Sequence, residues 1–326
     1  MNDRLAGYLE LFARIRADTS PKRWGESTCY RAPHKPLFLL SVFDLIASGG
    51  IVDNFITPSF ELSDLFAGYW LRIMPPGTTG LMCLPFYHLA TSGFWNLIPQ
   101  PGILDERGRS IQSIKRFVLF YQGAKFNDDL FFLLKDELVL RRLRSVLIET
   151  YFAPDVQLAL TEQAIINLES SKYSCELLGT KEINVQYERI TDDEGIKNKV
   201  RSQGFRKAIV KLYEHRCALC GLRMLTPEGH TVVEAAHIIP WSASQNDQPQ
   251  NGMALCRLCH WFFDEGLMGI GQHYEILVSP VVRQDGNYPG HIETMTGRVI
   301  LKPEKKAFWP HMEYLEIHRK ETFRKK

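Results

Sequence analysis

Four cysteines in two pairs, Cys217-Ala-Leu-Cys220 and Cys256-Arg-Leu-Cys259, constrain this 326-residue chain more than anything else in it. Two C-x2-C knuckles a few tens of residues apart bring four thiolates around one tetrahedral ion, and zinc is the metal such a set prefers. A site closed by four sulfurs keeps no open position for substrate, so its zinc is structural and staples a fold whose hydrophobic core is small. A redox pair is the other use of C-x2-C, but that role usually needs only one such unit. The remaining three of the seven cysteines, Cys29, Cys83 and Cys175, are isolated.

The start, Met1-Asn2-Asp3-Arg4, lacks the basic opening and apolar stretch of a secretory signal, so paired cysteines here indicate metal rather than disulfides. Leu37–Ile46 and Leu130–Leu134 are too short, or too broken by charge, to span a membrane. A cytoplasmic protein with no membrane partner is the expectation. The length allows two domains with separate cores. A net charge of +2 does not mark a strongly basic nucleic-acid binder. Local charge differs: residues 302–326 hold eight Lys/Arg against four Asp/Glu, which favours phosphate contact.

Apolar spacing predicts helices at Leu5–Ala17, at Leu37–Ala47 closed by Gly49-Gly50, and at Glu61–Ile73 opened near Ser59. Pro33 and Pro36 suit the start of the second of these. Leu81–Leu89, Phe94–Ile98 and Phe117–Tyr121 read as short strands around a turn-rich Pro99–Arg109. Helical spacing returns at Leu130–Tyr151 and Val156–Leu168, and periodicity fades over Ser170–Gly195. Val200–His215 is helical again, with Phe205, Ile209 and Leu212 on one face, and runs into Cys217.

Between the knuckles, Val232-Val-Glu-Ala-Ala-His237-Ile-Ile-Pro-Trp241 reads as a β-branched strand ending in a turn. Asn251-Gly-Met-Ala-Leu-Cys256 then turns into a helix, Arg257-Leu-Cys-His260-Trp-Phe-Phe-Asp264. Together with the knuckles, these segments resemble the HNH (ββα-metal) endonuclease family over about Phe205–Ile270. Hydrolysing a phosphodiester needs a deprotonated water and a cation on the phosphate, and imidazole is the natural base near neutral pH. The resemblance implies His237 as that base, His260 as a ligand of a catalytic Mg2+ or Mn2+, and Asn251 as the residue that ties the loop and holds the base. Asp264, one helical turn after His260, is a candidate second ligand. Many family members carry Asp or His immediately before the base, where this chain has Ala236; Glu234, two residues earlier on that side of the strand, is the candidate replacement. Near the end, Tyr314-Leu-Glu-Ile-His318-Arg319-Lys-Glu-Thr-Phe323 resembles the L-x-W-H-R-E-N-V-F ending of some restriction-type HNH proteins, which makes His318 and Arg319 candidate phosphate contacts.

Tyr30-Arg31-Ala-Pro-His34-Lys35-Pro36-Leu-Phe-Leu-Leu40, Leu84-Pro85-Phe86-Tyr87-His88-Leu89 and Gly93-Phe94-Trp95 resemble the sulfur-binding domain of phosphorothioate-dependent McrA-type restriction enzymes. Sulfur is larger, more polarizable and a poorer acceptor than the oxygen it replaces, so telling it apart calls for an apolar cup beside a cation. Pro85, Phe86, Tyr87 and the His88 ring are the candidate cup, Arg31 the cation, and His34 and Lys35 the contacts to adjacent phosphates.

The expected fold class is α+β in two domains. A mixed α/β N-terminal DNA-reading domain spans 1–180, a linker 181–200, and a C-terminal ββα-metal (HNH) domain with a four-cysteine structural zinc 201–326. The expected activity is that of a type IV restriction endonuclease acting on phosphorothioated double-stranded DNA as a homodimer. An HNH enzyme reading a modified base or a plain sequence, and a zinc-dependent DNA-binding regulator without catalysis, are the rivals.

Overall fold

The computed structural model describes residues 2–103, 110–180, 193–226, 230–284 and 286–325. The chain divides into two compact units, the first built on Met1–Glu169 and the second on Lys197–Leu225 and Thr231–Lys326. The second unit also takes in the helical stretch that begins at Ser170. Residues 181–192 of the expected linker lie outside the described residues.

The first unit runs α1 (Asn2–Ala13), α2 (His34–Ala47), α3 (Phe60–Ile73), α4 (Cys83–His88), β1 (Trp95–Pro99), α5 (Ile114–Phe120), β2 (Tyr121–Phe126), α6 (Asp128–Leu134), α7 (Glu137–Tyr151) and the part of α8 (Pro154–Leu177) that precedes Ser170. Its centre is α2, buried continuously from Pro36 to Asp44 and packed by α3, α4 and α7. A helix enclosed on most sides needs apolar residues all round, which is what the sequence shows. Asp44 is the exception, and burying a carboxylate requires partners. Arg144 meets it at 2.6 Å, the Tyr69 hydroxyl at 2.8 Å and the Asn167 amide at 2.7 Å. β1 and β2 pair antiparallel with Trp95 opposite Phe126, and Ile56 bridges to Ala124. Gly123 is obligatory there, because a Cβ would collide with the Ile56 carbonyl oxygen.

Ser59 opens α3, its hydroxyl accepting from the Leu62 amide at 3.2 Å. Leu81–Leu89 is not a strand but holds α4, and Phe117–Tyr121 is mostly the end of α5. Leu81–Leu89 is buried on several sides, and Phe117–Tyr121 exposes Val118 and Leu119 next to each other, so neither run shows the in–out alternation of a strand. Pro85 falls in the first turn of α4, where its missing N–H costs nothing. The long helix expected over Leu130–Tyr151 is two, because Asp136 stops the first and caps α7 by accepting from Leu138 and Val139.

In the second unit, α9 (Glu194–Leu212) leads to the first knuckle, starting six residues before the expected Val200. β3 (Val233–His237) and β4 (Gly252–Cys256) pair antiparallel, Val233 opposite Cys256 and His237 opposite Gly252, with the single turn α10 (Trp241–Ser244) between them. α11 (Arg257–Asp264) packs across both strands, completing the ββα arrangement. A second hairpin, β5 (Met268–Ile270) with β6 (Ile276–Val278), follows, and α12 (Met312–Glu321) packs on β5. Every residue of β4 is buried, so the register of the first hairpin is fixed from both faces. Among the described residues no helix is long and apolar enough to cross a membrane.

Candidate functional site

Backbone hydrogen bonds build the thiol cluster. Cys217 donates its amide to Leu222, Gly221 donates back to Cys217, and Ala218 donates to Ala254, tying the first knuckle to the strand that leads into the second. All four sulfurs lie within 4.8 Å of one another, with Cys220 and Cys256 3.7 Å apart. Metal–sulfur bonds of about 2.3 Å place tetrahedral sulfurs about 3.8 Å apart, so the donor set fits zinc. Among the described residues this is the one group of three or more His, Cys, Asp or Glu side chains gathered that closely.

His237 ends β3, and the Phe205 ring from α9 lies flat on it, centroids 4.0 Å apart and planes 8° from parallel. Gly252, opposite His237 across the hairpin, makes room: a Cβ there would stand 2.8 Å from Phe205 Cζ and 2.5 Å from Ile209 Cδ1. The ring's Nε2 lies 2.8 Å from Asp247 Oδ1. Arg201 donates to both Asp247 oxygens at 3.0 Å, and the Tyr173 hydroxyl to Oδ2 at 3.1 Å. Burial pushes the Asp247 carboxyl up, but the hydrogen bonds from His237, Arg201 and Tyr173 outweigh it and hold it below its ordinary value. Burial and the Asp247 charge push Tyr173 up to about 12, so it stays a donor. Sequence reading missed Asp247, Arg201 and Tyr173; no local spacing signals contacts that bridge 46 and 74 residues.

Asn251 is fully buried where the loop enters β4. Its Oδ1 accepts from the Ile239 amide at 2.9 Å, and its Nδ2 donates to the carbonyls of Ile239 at 3.0 Å and Asn246 at 2.9 Å. The side chain's hydrogen bonds thus all go to the backbone of the loop that follows His237.

α11 brings His260 between the two candidate carboxylates. Its Nδ1 is 3.6 Å from Glu234 Oε2, and its Nε2 is 3.4 Å from Asp264 Oδ2. The acids flank opposite edges of the ring, so one ring nitrogen is available to a cation while the other is oriented by a carboxylate. Glu234 also receives Arg257 at 3.0 Å. Ala236 is buried and offers no donor.

His318 does not stand as a phosphate contact, and Arg319 has one guanidinium nitrogen committed to the backbone. His318 is buried, stacked on Phe263 with centroids 3.7 Å apart, and its Nε2 lies 3.0 Å from the Phe263 carbonyl. Arg319 donates to the Ile270 carbonyl at 2.6 Å. The motif holds α12 against α11 and β5. Burial pulls His318 from its ordinary 6.5 to about 4, with the Phe263 carbonyl opposing and the Arg319 charge adding. An unfolded chain therefore takes up a proton between pH 6.5 and 4 that the folded chain refuses, so stability falls with pH across that window. A difference of that size corresponds to about 3 kcal/mol. His318→Phe keeps the stacked ring and removes the titration. In thermal melts between pH 7 and pH 4.5 it is expected to lose clearly less stability than the wild type; equal losses would exclude His318 as a source of acid sensitivity.

In the first unit a pocket of about 320 Å3 is lined by Arg16, Ala17, Asp18, Arg23, Trp24, Ala32, His34, Lys35, Leu84, Pro85, His88 and Thr91. It gathers four of the expected reader residues, His34, Lys35, Pro85 and His88. Phe86 belongs to the core, packed against Phe38, Trp95 and Phe117, and Tyr87 is buried against Tyr121, so neither forms a cup wall. Arg31 is exposed beside the Tyr151 ring and outside the lining. The α4 helix explains the split, since four successive residues point in different directions around it where a strand would show two sides. Burial, and then the Arg16 charge, lower Lys35 to about 8, while its Nζ donates to the Arg16 carbonyl at 2.9 Å. Burial takes His34 down to about 4, so it is neutral at pH 7.

Residues 217–271 match the HNH endonuclease family. The second unit accordingly carries an HNH endonuclease domain, a module of enzymes that hydrolyse DNA. No curated protein matches the chain. Among solved structures, one described as a modification dependent TagI restriction endonuclease aligns at 20% identity and a TM-score of 0.30, over 37% of this chain and 38% of its own. The chain thus spans well under half the length of that protein. Another, described as the type IV phosphorothioation-dependent restriction endonuclease ScoMcrA, aligns at 12% identity and a TM-score of 0.34, over 78% of this chain and 94% of its own.

Proposed function

We propose that the chain is a modification-dependent, type IV restriction endonuclease whose first unit reads phosphorothioated DNA and whose second unit cuts it. The observation that carries the cutting half is the assembly of His237, Asn251 and His260 on the β3–β4–α11 frame that matches the HNH family. In this reading His237 accepts a proton from water, and the resulting hydroxide attacks phosphorus in line with the departing oxygen. Phe205 blocks one face of the imidazole and Asn251 fixes the loop behind it, so the ring keeps one orientation. His260, with Asp264 or Glu234, would hold a divalent cation, Mg2+ or Mn2+, which would supply charge neutralisation on the phosphate and the leaving oxygen. The four cysteines hold structural zinc. One such site cuts one strand, so duplex cleavage calls for a homodimer.

For the reader, the supporting observation is the convergence of His34, Lys35, Pro85 and His88 on one pocket. Pro85, Leu84 and Trp24 supply apolar walls suited to sulfur, and Lys35 supplies the cation. A second reading is favoured by the pocket's volume of about 320 Å3, which exceeds what one sulfur atom needs. A base flipped out of the duplex fits such a space and stacks on rings such as Trp24 and His34.

The deciding experiment compares cleavage of duplexes of one sequence that are unmodified, phosphorothioated or base-modified. The expected result is cutting of the phosphorothioated duplex alone. Equal cutting of all three overturns a modification reader, and cutting confined to base-modified DNA selects the second reading. Lys35→Ala is expected to weaken binding to the modified duplex about 10- to 100-fold, the loss typical of one charge-assisted contact.

A further inference from the structure

Asp247 sits in the polar loop between the two strands of the HNH hairpin, yet its side chain is only 2% exposed. Three donors converge on it: His237 Nε2 at 2.8 Å, Arg201 Nη1 at 3.0 Å from both oxygens, and the Tyr173 hydroxyl at 3.1 Å. Arg201 alone would neutralise a buried carboxylate, and it is itself held in place, its guanidinium 3.7 Å above the Trp241 ring. The shortest of these contacts nevertheless goes to the ring that the cleavage reading needs as base.

An ionised carboxylate only accepts hydrogen bonds, so the proton in the His237–Asp247 bond sits on Nε2. That choice leaves Nδ1 with a lone pair. Turning the ring over to exchange its nitrogens would interrupt both the flat stack on Phe205 and the bond to Asp247.

We propose that Asp247 is a positioning residue for DNA cleavage, holding His237 in the tautomer that presents Nδ1 to the attacking water and compensating the charge that then forms on the imidazole. The inference rests on the reading of His237 as base. The proton passes from water to Nδ1, giving an imidazolium with a hydrogen on each nitrogen. The oxygen of the hydroxide bonds to phosphorus, and the bond to the departing oxygen breaks with its electron pair. The leaving oxygen is protonated from solvent or from the imidazolium, and the ring returns to its starting form. Asp247 stays ionised throughout, because Arg201 and Tyr173 keep their hydrogen bonds to it.

The test uses the full chain, a phosphorothioated duplex and Mn2+, with wild type, Asp247→Asn, His237→Ala and the double variant. Asn fills the space of Asp and keeps an oxygen for Arg201, but has no charge and does not impose a tautomer. Asp247→Asn is expected to lower kcat about 100-fold, within the range a general base contributes, with KM little changed. In the His237→Ala background the same substitution is expected to change the residual rate less than about twofold, because coupled residues lose their effects together. A single Asp247→Asn variant cutting within about threefold of wild type, beside an inactive His237→Ala, overturns the inference and leaves the base intact. Full activity of His237→Ala overturns the base reading instead. Equal losses in both backgrounds mean that Asp247 only secures the loop, which also overturns the inference. Should Asp247→Asn fail to fold, nitrogen-15 spectra of histidine-labelled wild type decide the matter: a hydrogen-bearing Nε2 on His237 supports the proposal, and a hydrogen-bearing Nδ1 with bare Nε2 overturns it.

Discussion

His237→Ala is expected to slow strand cleavage by about 10²- to 10⁴-fold, the contribution a positioned general base makes, while binding of the same DNA stays near wild type. Two features of the fold separate these effects. The imidazole ends β3 in the second unit, whereas the pocket that gathers His34, Lys35, Pro85 and His88 lies in the first. Alanine removes the ring contacts with Phe205 and Trp241 and the bond to Asp247, but no backbone bond of the hairpin, so β3 keeps its register with β4. Single-turnover nicking and an electrophoretic mobility shift measure the two quantities on one substrate. Undiminished nicking would eliminate His237 as the base. A wild type that binds DNA but leaves every substrate intact with Mn2+ would favour the non-catalytic regulator, the reading that Ala236 keeps open.

Removing one of the four clustered thiols is expected to have the larger effect on folding. Cys256→Ser leaves three sulfurs and a weak alcohol ligand at the junction of β4 and α11, the two elements that carry the site. Structural zinc contributes on the order of 10 kcal/mol of binding free energy in small zinc-dependent folds, more than most domains have to spare. The second unit is expected to lose its metal and its cooperative melt. The first should keep its own transition, because its hydrophobic core is separate and shares no residue with that of the second. Metal content by mass spectrometry and a two-step calorimetric scan test this. A Cys256→Ser protein that melts like the wild type would show that the thiols are not a structural site.

The knuckles, the β3–β4 hairpin and α11 were legible because their signals are local: thiol spacing, a β-branched strand and a turn-forming Asn-Gly lie within a few dozen residues. His237, Asn251 and His260 belong to that pattern. What supports His237 was not legible. Tyr173 and Asp247 are polar residues in stretches without strong apolar periodicity, Arg201 is one of several basic residues on a helix whose apolar face is formed by Phe205, Ile209 and Leu212, and each reads alone as a solvated side chain. Only the fold brings them together and buries them. The same cause misplaced the end of α8. The spacing ends the helix at Leu168 and fades from Ser170, but Ser170 and Ser174 are buried in the helix and Lys207 of α9 donates to the Ser170 and Ser171 hydroxyls. In α12 the error ran the other way, because a basic run suggested solvent and phosphate where Phe263 and His318 stack inside the unit.

Recombination that carries the HNH stretch into another chain has to bring residues from outside it. The stretch that matches the HNH family starts at Cys217, yet Tyr173 and Arg201, which secure Asp247, lie well upstream of it. Within α8, Asn167 is hydrogen-bonded to Asp44 of the first unit and Tyr173 to Asp247 of the second. A hybrid joined just before Cys217 would inherit the thiols and the histidines without the groups that hold the carboxylate in place. A crossover upstream of Tyr173 keeps Tyr173 and Arg201 together with the stretch that begins at Cys217.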